Sequence, residues 1–122
     1  MSESHLEVAR ALVAAVEVGD IDAVSALYTD DVAVWHNHDN KTQTKAESLA
    51  MMTGFVNNIH NRKYIDIRVQ ATESGFVQQH TLTGSLASGS VMSIPCCLIV
   101  TVVDGRISRL DEYLDPAAIP RR

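Results

Sequence analysis

The period of the chain changes near its middle. Up to about residue 59 apolar side chains recur at helical spacing, and from Tyr64 onward they alternate with polar ones. Ile65, Ile67, Val69 and Ala71 alternate with Asp66, Arg68 and Gln70, which reads as a strand with one buried face. Ser74-Gly75 marks a turn, and further strands are expected over residues 76–86, 91–103 and 106–114. Between the last two, Asp104-Gly105 is a hairpin signal, because a tight type I′ turn needs positive φ at both central residues. Strands this long twist, and the twisted sheet curls into a concave face that other elements must fill. Pro95, inside the strand over 91–103, removes one backbone donor, so an edge or a bulge is expected there.

The fill comes from the first half. Ser4 and Glu7 read as a capping box for a helix that carries Leu6, Ala9, Leu12, Val13 and Val16 and runs to about Gly19. Asp20 caps a short second helix through Leu27. A strand over residues 32–37 and a polar loop over 38–41 follow. Thr44 and Glu47 form a second capping box, opening a third helix with Leu49, Met52, Phe55, Val56 and Ile59. Helices followed by a run of long strands make an α+β plan: three N-terminal helices packed in the concave face of a curved, mainly antiparallel sheet, a cone with an open mouth. One domain over residues 1–122 accounts for the whole length.

Charge and composition exclude several functions. Fifteen acidic against ten basic residues leave a net charge of −5, the wrong sign for a nucleic-acid binder. No apolar run reaches the roughly 18–20 residues that span a bilayer, so no membrane partner is expected. The N-terminus lacks the basic and apolar regions of a secretory signal, and a cytoplasmic location is expected. The two cysteines, Cys96 and Cys97, are adjacent and cannot staple distant segments, so both read as small, mainly apolar residues. No Gly-rich phosphate loop is present, and no cofactor is expected.

Several segments resemble one superfamily. Val18-Gly19-Asp20-Ile21-Asp22-Ala23 leads through Leu27-Tyr28-Thr29-Asp30-Asp31-Val32 into Val34-Trp35-His36-Asn37, and the end reads Asp104-Gly105-Arg106-Ile107-Ser108-Arg109-Leu110-Asp111-Glu112-Tyr113-Leu114-Asp115. Together they resemble the nuclear-transport-factor-2-like cone folds, which include ketosteroid isomerases, SnoaL-like polyketide cyclases and limonene-epoxide-hydrolase-like enzymes. The resemblance puts the isomerases' carboxylate base at His36, and their tyrosine and protonated aspartic acid at Leu12 and Leu98. Both oxyanion donors are therefore missing, and steroid isomerisation by that route is not expected. The epoxide hydrolases' water-holding tyrosine and asparagine fall on Trp35 and Asn37. Their relay arginine falls on His80, one relay aspartate on Leu82 and the other on Glu112. The cyclases' acidic residue on the last strand also falls on Glu112.

Glu112 lies between Leu110 and Leu114 on one face of its strand. Apolar neighbours make a carboxyl harder to ionise, which suits an acid or base near neutrality, whereas a nearby His80 holds it charged; the residues leave both open. The expected site is an apolar pocket lined by Trp35, Met52, Leu82, Ile94, Cys96, Leu98 and Leu114. Glu112 would be the acid/base, with Asn37 and His80 orienting substrate or water. Trp35/Asn37 and His36/His38 point to opposite faces of a regular strand, and the first pair is taken to face the pocket. His36 and His38 alone fall short of a zinc site, so no metal is expected. The ligand expected is a small hydrophobic molecule. The function expected is cofactor-independent isomerase, cyclase or epoxide-hydrolase chemistry, with non-catalytic binding in the same pocket, or a dimeric interaction module, as alternatives. The opposite face of the strand over 76–86 (Val77, Gln79, Thr81, Thr83, Ser85) is polar yet β-favouring and is expected to pair two copies into a homodimer.

Overall fold

The computed structural model describes residues 2–119. Its elements are α1 (Ser2–Val18), α2 (Ile21–Leu27), β1 (Tyr28–His36), β2 (Lys41–Gln43), α3 (Lys45–Asn58), β3 (His60–Ala71), β4 (Gly75–Ser85), β5 (Val91–Val103), β6 (Arg106–Leu114) and a short 3₁₀ turn, Pro116–Ala118. The six strands form one open sheet in the order β2-β1-β6-β5-β4-β3. β1 runs parallel to β6 and every other pair is antiparallel. The α+β cone plan is therefore the observed one, with a mixed sheet.

Local chemistry sets the helix ends. α1 closes with the Gly19 N–H on the Val16 carbonyl (3.2 Å) and the Asp20 N–H on the Ala15 carbonyl (2.9 Å), the Schellman pattern, with Gly19 at φ +78°. Asp20 then caps α2 by accepting from the Ala23 N–H at 3.0 Å, as expected. The Thr44–Glu47 capping box of α3 is fully formed. Ser4 is not an N-cap, because α1 already runs from Ser2; Glu3 pairs with Arg10 two turns along the same face, at 2.8 Å.

α1 lays Val8, Ala9, Leu12, Ala15 and Val16 against the concave face, where they pack with Val32, Val34, Phe76, Leu98, Val100 and Ile107. β5 and β6 occupy the expected spans, and Asp104 (φ +49°) and Gly105 (φ +78°) make the turn between them. β1 starts at Tyr28 rather than at residue 32, and β2 forms where a loop was expected to end, its Trp35↔Thr42 and His36↔Lys41 pairs closing a hairpin on β1. Pro95 lies in an interior strand. It sits one residue past the last β5–β6 pair, Cys96↔Leu114, where no strand pairs with β5 on that side.

The main departure is in β3. Its ladder with β4 slips twice, between His60 and Lys63 and between Ile65 and Arg68, so three residues of β3 span two of β4. Asn61 (φ +54°) and Asp66 (φ +53°) supply the left-handed residues at these bulges. Each bulge exchanges the faces. Tyr64 and Val69 both turn inward, opposite Leu82 and Gln78, while Ile65 and Ile67, expected to be buried, are each 44% exposed.

Arg62, just past the first bulge, ties two helices together. Its guanidinium donates to the carbonyls of Val16 (2.9 Å) and Glu17 (3.3 Å) at the end of α1, and of Val56 (3.1 Å) and Ile59 at the end of α3. The Val16 carbonyl also takes the Gly19 N–H, whereas the other three are helix-end carbonyls without such a partner. Arg62→Met keeps the aliphatic stem and leaves them unpaired, and urea unfolding is expected to show a loss of about 2–3 kcal/mol. A loss below about 0.5 kcal/mol would show that water serves them equally well.

Candidate functional site

α1 fills the concave face only as far as Val16. Beyond it, α3 arches over the sheet and leaves a cavity of about 680 Å³. Its walls are mostly apolar: Met52, Phe55 and Ile59 from α3, and Leu82, Met92, Ile94, Cys96 and Leu114 from the sheet. Leu86, Ala87, Ser88 and Ile119 stand at its rim.

Two ionisable side chains meet on one wall. The parallel register sets His36 of β1 beside Glu112 of β6, and His36 Nε2 lies 3.1 Å from Glu112 Oε1. The imidazole is buried, while the carboxylate keeps 21% of its side chain open to the cavity. The hydrogen bond to Glu112 raises the His36 pKa above the usual imidazole range, outweighing burial, which acts the other way. His38 follows at the rim with its ring 5.5 Å from that of His36. Asp39 beyond it accepts the Lys41 N–H, which lowers its pKa.

The other polar groups, on β4, lie behind the cavity lining. His80 is buried at 4% exposure, and Gln78 Nε2 approaches its Nδ1 at 3.0 Å. Burial lowers its pKa, partly offset by the charge of Glu112. The ring of Tyr64 covers that of His80, centroid to centroid 4.5 Å, and faces the cavity. Glu17 Oε2 accepts the Tyr64 N–H at 2.9 Å and holds the residue in this position. Burial above all drives the Tyr64 phenol far above its ordinary pKa, so it stays protonated. Cys96 is a free thiol pushed up to about 12 by burial, then by Glu112, and is a wall atom rather than a nucleophile.

Of the expected pocket residues, Glu112, Met52, Leu82, Ile94, Cys96 and Leu114 line the cavity. Leu98 does not; it is buried in the main core between Glu112 and Gln78 in the ladder. His80 sits behind Tyr64. Trp35 and Asn37 face the other way, which reverses the expected orientation of β1. Val32 and Val34 are buried at 3% and 2%, and strand alternation then forces His36 inward and Trp35 outward. Trp35 instead donates from Nε1 to Asn40 at 3.0 Å and packs edge-on against Tyr113. Asn37 is spent on the backbone of Leu114, donating to its carbonyl at 3.0 Å and accepting from its N–H at 2.9 Å. His36 was legible in the Val32/Val34 parity; Tyr64 was hidden by the bulge at Asp66. Among the described residues no three His, Cys, Asp or Glu side chains converge as a metal site.

The two buried imidazoles are expected to titrate on opposite sides of about 6.5, His36 above and His80 below, in NMR titrations. The raised pKa of His36 contributes stability that is complete below the unfolded value and fades as pH rises through the folded one. The stability gap between the wild type and His36→Gln should therefore narrow with rising pH. A gap that widens would contradict the pairing.

The pattern of the SnoaL-like domain matches residues 9–110. No curated protein matches the sequence. Among solved structures, a protein assigned as a polyketide cyclase from Xanthomonas campestris pv. campestris superposes with a TM-score of 0.84 at 21% identity, covering 93% of this chain and 92% of that one. An LEH-like epoxide hydrolase from M. tuberculosis gives 0.82 at 17%, covering 96% and 86%. A protein of ketosteroid-isomerase-like fold from Catenulispora acidiphila gives 0.82 at 13%, covering 92% and 88%. At these identities the likeness is one of fold.

Proposed function

The chain belongs to the SnoaL-like domain family, and from that premise we propose that it is a cofactor-independent acid/base enzyme acting on a small, mainly hydrophobic molecule. One observation carries this reading: a carboxylate paired to an imidazole at 3.1 Å on the wall of an otherwise apolar cavity. A volume of about 680 Å³ is ordinary for a small-molecule site. Glu112 takes or returns the substrate proton through the oxygen that His36 leaves unbonded. His36 is the positioning residue, holding the carboxylate at one angle and compensating its charge. Isomerisation, cyclisation and epoxide opening all need such a proton transfer, and the neighbours in fold include proteins assigned to cyclase and epoxide-hydrolase chemistry. Asn37 and Trp35 have no part in this version of the site.

A thermal-shift screen of terpenoid, steroid and polyketide-like compounds identifies binders, and their turnover is followed by mass spectrometry. Glu112→Gln is expected to lower kcat by about a hundred- to ten-thousand-fold, as removal of a general acid or base does. It should leave Kd within about threefold, since the amide keeps the shape of the site. Binders that are never turned over by the wild type would establish the non-catalytic alternative.

We also propose that the outer sheet face pairs two copies in the cytoplasm. Ile65, Ile99 and Tyr113 are 44%, 45% and 43% exposed there, beside the β4 residues Val77, Gln79 and Thr81. Sedimentation is expected to show a dimer at micromolar concentration and a shift toward monomer in Ile99→Lys. A monomeric wild type would refute the pairing.

A further inference from the structure

Every methionine of this chain after the first residue lines the ligand cavity. Met51 and Met52 stand on α3, and Met92 stands on β5 in the sheet wall that faces it. Met92 is almost fully buried, Met52 is half-buried, and Met51 reaches the mouth at 37% exposure. Among the described residues the main core buries no methionine; branched side chains such as Val16, Val34, Leu98 and Ile107 fill it.

The two kinds of side chain behave differently. Methionine is unbranched, turns about three bonds and carries a polarisable sulfur, so it fills gaps of different shape. A β-branched side chain keeps close to one rotamer. The molecule thus has stiff side chains where only packing is at stake and adaptable ones where a ligand enters. Gly54 extends the contrast. It lines the cavity inside α3, where glycine weakens a helix, and a Cβ added there would meet nothing within 4 Å. A side chain at residue 54 would cover the helical turn that carries Met51, so its absence leaves Met51 room to change rotamer. The reacting pair is held in another way: His36 and Glu112 meet at 3.1 Å on two paired strands, and no methionine stands on either.

We infer that Met51, Met52 and Met92 determine the specificity of the site and make it broad, repacking around neutral hydrophobic ligands of different shape while Glu112 stays in place. The inference rests on the ligand cavity proposed above and adds which molecules it takes: several shapes of one polarity, not one shape.

Camphor, 2-tetralone and 2-decanone each carry ten carbons and one carbonyl, but they are globular, flat and linear. By equilibrium dialysis their dissociation constants for the wild type are expected to lie within about tenfold of one another. In the triple variant Met51→Leu, Met52→Leu, Met92→Leu, which conserves volume, the spread should widen to about a hundredfold. Replacing the methionines by norleucine, which keeps an unbranched chain, should preserve the narrow spread. Spectra of the wild type with ¹³C-methyl methionine test the same point without the triple variant. Each ketone is expected to move the Met52 and Met92 methyl carbons to a different position, because their shifts report the last side-chain torsion. A triple variant as tolerant as the wild type, a norleucine protein as selective as the leucine one, or identical methyl shifts with all three ketones overturns the inference and leaves the cavity reading standing. Binding of none of the three counts against the inference and the cavity reading together.

Discussion

Strand alternation, anchored by a few buried valines, is the constraint on which the rest of this molecule depends. Val32 and Val34 are almost fully buried in the main core, and each stabilises the fold by roughly 1.5–3 kcal/mol. A one-residue slip of β1 would expose both, so the strand has one permitted orientation. That orientation sends His36 inward. The parallel pairing with β6 then sets it beside Glu112, and the hydrogen bond between them offsets the cost of burying the ring. Aliphatic packing at one end of the strand thus determines which polar group enters the cavity at the other.

The opposite wall follows from a deliberate break in the same rule. Two bulges, at Asn61 and Asp66, exchange the faces of β3 so that Tyr64 meets Leu82 inside while Ile65 points out. Glu17 and Arg62 lock that irregular stretch to α1 and α3 through the Tyr64 N–H and four helix-end carbonyls. The cavity is accordingly held by elements that do not depend on a ligand. Its walls carry the His36–Glu112 pair on β1 and β6 and the Tyr64 ring on β3.

Much of the fold was legible from residue patterns. The Asp104-Gly105 turn, the Asp20 and Thr44 caps and the spans of β5 and β6 follow from local chemistry and stand in the structure. Pro95 marked a real gap in pairing. The site was legible in part. Glu112, set between two leucines, reached the cavity because β6 is regular at its end. Trp35 and Asn37 were misjudged because the strand's parity depends on which of two alternating sets packs into the core, and a tryptophan can sit on either face. Tyr64 was hidden because Asp66 and Asn61 look like ordinary polar positions in an alternating strand. Only the ladder with β4 shows that they are extra residues.

In the proposed reaction Glu112, held by His36, moves protons to and from carbon or oxygen inside an apolar cavity. The most direct measurement is deuterium incorporation from D₂O into the α-carbons of an enolisable bicyclic ketone such as 2-tetralone, followed by NMR with and without the protein. The account predicts exchange faster than in buffer, abolished in Glu112→Gln and slowed in His36→Gln. Exchange no faster than in buffer, or equally fast in Glu112→Gln, would contradict it.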